Sequence, residues 1–431
     1  TARTDPCAED GKPEAMPAPA PSVSKDAADS SVAYVCMTVI GIGYLLPIAA
    51  IWAAFDYWKM LFPDQNVEFT VAGAYQVVSI VTVAALSASK SLVLAPRIYG
   101  GFGGQFACLA AIFAFRWMDQ SEEVMYCVLM SLVCLCSVAT GFLDSALLSL
   151  CAQYSPRMQQ HLQIGIGFGT FMSVVYRDTT KLLLPGNVAD ATSLYFIVAL
   201  LTVLVCVTCY RLLMTLPVSQ HIVRSQGAGR GGASTPLLDE SSSSESEKDA
   251  QQHVAAQSSF SNVWRIVRKN QLVVFLNFAL TTLYYPGLLT SIPCRQFKAL
   301  RAHEWFQELL LTVFTVGDIL GRFATGNRFG LNYSNIWLTV VVRATMFPLI
   351  MVCIFWHSLP DIVSMAAVAV FGVMNGYCGT LSLMVVLEVP ELVHDEQRKT
   401  CGRFSALGVN GGLALGSVAG GLVAMIFDIG A

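Results

Sequence analysis

Eleven long apolar windows follow one another along the chain, at about 33–55, 70–94, 98–117, 124–152, 160–184, 192–216, 269–293, 304–326, 334–357, 361–390 and 400–428. Each is close to or above the roughly 20 residues with which an α-helix crosses a hydrocarbon layer. Backbone groups inside a bilayer have no water to bond, so runs of this length are expected as helices. The pattern predicts an all-α polytopic membrane protein with about 11 transmembrane helices. Two polar stretches interrupt it. Residues 1–32, rich in Ala, Pro, Ser and acidic side chains, are expected as a disordered cytoplasmic N-terminal tail. Residues 217–268 carry RSQGAGRGGASTP and DESSSSESEKD, the composition of a flexible cytoplasmic loop. That loop divides transmembrane helices 1–6, within 33–216, from helices 7–11, within 269–431.

Composition agrees with the windows. The chain is 55% hydrophobic and 13% charged, against about 25% charged in soluble domains. The net charge of −3 gives no reason to expect a nucleic-acid partner. The basic residues are distributed unevenly. Connections holding Arg97, Arg157, Arg265 and Arg398 carry more than twice the Lys and Arg of the alternate set, which holds Lys59, Arg116 and Arg301. The richer set is expected in the cytoplasm. The N-terminus is then cytoplasmic, the odd number of spans makes the C-terminus extracellular, and the expected location is the plasma membrane. The one Asn-X-Ser/Thr sequon, at Asn332, falls on the cytoplasmic side and is expected to stay unglycosylated.

The window WFQELLLTVFTVGDILGRFATG, Trp305 to Gly326, is long enough to span yet holds Asp318 and Arg322. An ionised side chain at membrane depth costs about 2.5–3.5 kcal/mol on insertion scales. One helical turn apart, the two share a face and can pair. That face is expected to meet protein or a watery cavity, either as a packing ion pair or as a patch that holds a polar solute. Asp144, in GFLDSALLSLCAQYSP beside Ser145, and Arg343, in VVVRATMFPL, lie at similar depth. They are expected to neutralise each other or to join the Asp318–Arg322 pair. In QIGIGFGTFMSVVYRDTTKLLL, Gly165, Gly167 and Gly169 allow close helix approach. Arg177 and Lys181 toward its outer end either snorkel to the headgroups or form an outer gate. Lys90 is expected to snorkel at the opposite surface. Pro47, Pro286 and Pro348 interrupt helical windows, as in transporters that gate with broken helices. Trp52 and Tyr285 are candidates to stack on a planar substrate, the alternative being ordinary packing.

Enzyme signatures are absent. There is no Walker loop, HExxH or nucleophile elbow, and GGFGG at 100–104 opens a membrane window instead of following a strand. Most of the 13 cysteines sit inside apolar runs as small hydrophobes, Cys206 and Cys209 included. No catalytic group, metal or cofactor is expected.

Several stretches, taken in order, resemble the equilibrative nucleoside transporter family. They are GIGYLLP…DYW in the first window, VGDILGRF in the eighth, VVRATMFPLIMVC in the ninth, FGVMNGYCGTL in the tenth and GVNGGLALGS in the last. The resemblance covers most of the chain from about Val35. It implies a major-facilitator-like fold of 6+5 bundles around a central site. It also implies alternating-access transport of nucleosides, purine nucleosides such as adenosine and inosine foremost, and nucleobases. In the family the span-8 Asp and Arg contact substrate, the Asp through ribose hydroxyls, and these map onto Asp318 and Arg322. A carboxylate can accept both hydroxyls of a vicinal diol. Two departures bear on the base. Ile48 and Ala49 stand where many members have Trp-Asn, and the position of a base-reading Gln in span 4 falls on Ser145. Arg177 to Lys181 resembles protozoan members, some of them proton-coupled, which makes Asp144 a candidate proton carrier. Beside the resemblance stand a same-fold transporter of another polar metabolite and a receptor that uses the Ser-rich loop for signalling.

Overall fold

The computed structural model describes residues 31–65, 67–88, 93–118, 120–184, 187–220, 222, 260–297 and 305–428. Residues 1–30 of the expected tail, Lys90 and most of the expected loop lie outside the described residues, and Ser31 and Val32, expected in the tail, begin the first helix. Among those described, eleven long helices and short helical turns make up the structure. They are α1 (Ser31–Ala53), α2 (Val67–Ala88), α3 (Leu94–Phe113), α4 (Glu122–Cys151), α5 (Pro156–Leu183) and α6 (Val188–Thr215), then α7 (Phe260–Tyr284), α8 (Trp305–Ala324), α9, α10 (Asp361–Val385) and α11 (Asp395–Ile426). The ninth helix is in two pieces, Leu338–Ala344 and Met346–Phe355. Pro348 explains the break: it cannot donate to the carbonyl of Ala344, and its ring crowds that carbonyl.

Nine of the eleven helices are long and apolar enough to cross a membrane. The other two are α5 and α8. They carry Arg177, Asp178 and Lys181, and Glu308, Asp318 and Arg322, respectively. Polar chemistry also enters on α4 through Asp144 and on α9 through Arg343.

Helix ends differ from the windows where polar residues begin helices. The seventh helix starts at Phe260, so it reaches into the span 217–268 expected as loop. Its extra turns hold Arg265 and Arg268. The fifth helix starts at Pro156, where proline at the first position has no N–H to lose. The last starts at Asp395 with a capping box between His394 and Gln397. Hydropathy cannot register any of these turns, because they are polar.

The helices assemble as two bundles. In the first, α5 packs on α1, α4 on α3 and α2, and α6 on α1; in the second, α11 packs on α7 and α8 on α10. The seam between them is formed by α11 against α2 and α4, and by α5 against α8 and α10. A large apolar core around Met37, Phe102, Leu143 and Tyr195 fills the first bundle. A smaller one around Tyr284, Phe314 and Phe371 fills the second.

Candidate substrate site

Close helix crossings place the polar groups. At Gly376 on α10 a Cβ would overlap the carbonyl of Asp318 on α8, and at Gly321 it would overlap that of Val373. The two backbones therefore touch beside Asp318. Gly167 on α5 faces Arg322, whose Cδ lies 3.0 Å from where a Cβ would stand. The glycine stripe of α5 thus seats α1 through Gly165 and makes room for the arginine through Gly167.

Asp318 and Arg322 form the expected ion pair, Arg322 Nε to Asp318 Oδ2 at 2.7 Å, with side chains 8% and 12% exposed. The pair has side-chain partners on two other helices, α5 and α10, and through Asn375 it reaches α7 and α9. Arg322 Nη1 crosses the seam to donate to the Gln163 carbonyl at 2.8 Å and to Gln163 Oε1 at 2.9 Å. Asp318 Oδ1 accepts from Asn375 Nδ2 at 2.6 Å. Asn375 Oδ1 accepts from Arg343 Nη2 at 2.6 Å and from Thr281 Oγ1 at 2.7 Å. Arg343, fully buried, also donates to the Asn277 carbonyl and to Thr281 Oγ1. Arg343 therefore joins the Asp318–Arg322 group, through an amide instead of a direct ion pair.

Asp144 lies in a second cluster. Its Oδ2 accepts from Asn410 Nδ2 at 2.9 Å, across the seam, and its Oδ1 has no hydrogen-bond partner among the described residues. Asn410 in turn accepts from Ser79 Oγ at 2.8 Å and, through its carbonyl, from Gln76 at 3.2 Å. Ser145 turns to the other side of α4 and accepts from Arg97 Nη1 at 3.3 Å. Asp144 and Arg343 do not meet.

Each cluster has an aromatic pair one helical turn away. Tyr285 stacks on Phe314, centroids 4.5 Å apart, and Phe314 is one turn from Asp318. Trp52 meets Tyr75 edge-on at 5.7 Å, and Tyr75 is one turn from Ser79; the Trp52 indole N–H is buried with no partner among the described residues. Arg177 is elsewhere: it is buried between α5 and α6, donating to Thr192 Oγ1 at 2.8 Å and lying over the Tyr195 ring. Lys181 is exposed at the end of α5.

Asn375, Gln163, Asn277, Thr281 and Asn410 were not singled out as site residues from the sequence. The signals available were Asn375 in NGYCG and Asn410 in GVNGG, both inside apolar windows.

Two helical bundles with a polar seam between them make a fold of the kind found in the major facilitator superfamily. A proton:xylose symporter of that superfamily superposes with a TM-score of 0.63 at 12% identity, covering 92% of this chain and 88% of its own. A bacterial homologue of the iron transporter ferroportin, in an outward-facing state, superposes at 0.55 with 15% identity, covering 91% and 93%. At these identities the likeness is of fold alone. The chain belongs to the nucleoside transporter family, whose model matches residues 129–425. Equilibrative nucleotide transporter 8 of Arabidopsis thaliana is 24% identical over 407 residues, 91% of this chain and 95% of that protein. Equilibrative nucleoside transporter 4 of Homo sapiens is 22% identical over 442 residues, 89% and 81% of the two. Nucleoside transporter 2 of Leishmania donovani is 24% identical, over 36% of this chain and 31% of its own.

Proposed function

We propose that this protein carries nucleosides, purine nucleosides such as adenosine and inosine and also nucleobases, across the plasma membrane by alternating access. The observation that carries the reading is the Asp318–Arg322 pair, buried at the seam and tied to the opposite bundle through Gln163. A group bound there touches both bundles, which is what a substrate must do to couple binding to their relative movement. Each Asp318 oxygen has one anchor and retains a lone pair, enough for two hydroxyls of a sugar. Arg322 supplies donors to ring nitrogens or carbonyls. Asp144, Ser145, Trp52 and Tyr285 form the remainder of the proposed substrate lining, with Tyr285 above Asp318 and Trp52 above Asn410. Arg177 and Lys181 belong to the outer end of the first bundle, where we keep them as gate residues.

The uneven distribution of Lys and Arg among the connections supports a cytoplasmic N-terminal tail, residues 1–32. All described hydrogen bonds across the seam then lie between the cytoplasmic surface and the middle of the bundle, from Ser149–Lys399 and Arg403–Leu86 to Gln76–Asn410. That is the arrangement of a carrier closed inside. Binding of labelled adenosine to the purified protein tests the reading. Inosine and adenine should displace it and glucose should not; displacement by glucose would favour the carrier of another polar metabolite.

Asp144 supports a second reading, proton-coupled uptake. It is 3% exposed, one oxygen lacks a partner among the described residues, and its seam neighbour is the neutral Asn410, with Arg97 engaged one residue away on Ser145. Uptake that rises with an inward proton gradient in wild type, and loses that rise in Asp144→Asn, is the expected result. Uptake indifferent to pH in both proteins removes the coupling.

A further inference from the structure

We propose that Asn375 is a positioning residue for substrate: its side-chain amide, locked by Arg343 and Thr281, holds the Asp318 carboxylate in the plane that receives two adjacent sugar hydroxyls. The assignment rests on the reading that Asp318 meets the sugar. Arg322 alone anchors one oxygen, Oδ2, and leaves the carboxylate free to turn about its Cβ–Cγ bond. Asn375 Nδ2 anchors the other at 2.6 Å. Two anchors, one per oxygen, fix the plane and leave one lone pair on each.

The amide can hold Asp318 in only one sense. Its oxygen faces the Arg343 Nη2 donor at 2.6 Å and the Thr281 hydroxyl at 2.7 Å. Turned over, its NH2 group would face a guanidinium, which has donors and no acceptor, and its oxygen would face a carboxylate. Arg343 therefore acts as a key that admits one orientation of Asn375. It is fully buried, so it has no route to the substrate itself. Its remaining contacts hold it in place: the Asn277 carbonyl, and the Phe371 ring 6.0 Å away. Among the described residues the carboxylate nearest in this chain of bonds is Asp318, reached only through Asn375.

Asn375→Leu keeps the volume and removes both ends of the link. The test compares uptake of adenosine with uptake of its 2′,3′-dideoxy analogue by reconstituted protein. Wild type should prefer adenosine. In the variant the KM for adenosine should rise about tenfold, the order of one lost hydrogen bond to a charged group, while that for the dideoxy analogue stays. Thr281→Val removes one of the two donors that lock the amide and should lower the preference in the same direction, by less. If Asn375→Leu does not assemble, Thr281→Val and Asn375→Ser are read by the same ratio. A purely structural role would slow both substrates alike and leave the preference intact, which overturns the assignment. Wild type without any preference would instead overturn the sugar-binding reading of Asp318.

Discussion

Arg322 makes three described side-chain hydrogen bonds, one to Asp318 and two to Gln163, and so ties a carboxylate of one bundle to the other. Removing one member of a buried ion pair leaves the other uncompensated, a loss of about 3–5 kcal/mol. Arg322→Ala should therefore reduce uptake to background while the protein still reaches the membrane, measured as flux per amount of surface protein. Near-normal flux would reduce the pair to a packing device. Asp318 and Arg322 were legible in the sequence because charge inside an apolar window is costly and stands out. Gln163, Asn277 and Asn375 were not, since a neutral amide disturbs hydropathy little and its value depends on which neighbour it faces. Arg177 shows the converse. Its charge was conspicuous, yet the fold spends it between α5 and α6, on Thr192 and the Tyr195 ring.

The crossing of α8 and α10 is the element on which the site depends. Phe314 and Asp318 carbonyls lie against Gly372 and Gly376, and Ala369 and Val373 carbonyls against Gly317 and Gly321. Gly376→Val would force the helices apart where Asp318 and Asn375 meet. We expect a loss of about 1–3 kcal/mol or more, read as a lower unfolding temperature in detergent, together with lost uptake. An unchanged unfolding temperature would show that the crossing has slack. The glycine patterns of α5, α10 and α11 were visible in the sequence, and so was the interruption at Pro348. What each glycine faces was not, because one face of a span cannot be assigned to lipid or to a neighbour before the bundle is known. The polar first turns of α7 and α11 escaped for a related reason: capping and tertiary contacts, not apolarity, make them helical.

Across the whole molecule the two bundles repeat one plan. Gly165 and Gly169 of α5 meet the Thr38 and Ile42 carbonyls of α1; Gly412 and Gly416 of α11 meet the Phe275 and Ala279 carbonyls of α7. Gln163 and Asn410, each two residues before the first glycine of its pair, both cross the seam through their side-chain amides. Tyr75 with Ser79, and Phe314 with Asp318, occupy matching turns of α2 and α8. Repeated halves about an axis normal to the membrane are the plan of the major facilitator superfamily. The 6+5 division was legible in the windows, but the repeat was not, since its matching positions hold different residues. Arg403, donating to the Leu86 and Ser87 carbonyls, and Gln160, donating to the Arg322 and Phe323 carbonyls, close the seam at the Ser31 end of the molecule. Replacing both with Ala should loosen that end. Spin labels at residues 157 and 396 should then report longer distances than in wild type, and unchanged distances would show that other contacts keep it shut. The most direct measurement of the account as a whole is uptake of labelled adenosine into liposomes that hold this protein alone, with no ion gradient. Saturable uptake that excess inosine blocks, and that Arg322→Ala abolishes, is the predicted result. No saturable uptake, with or without an imposed proton gradient, would contradict nucleoside transport through this site.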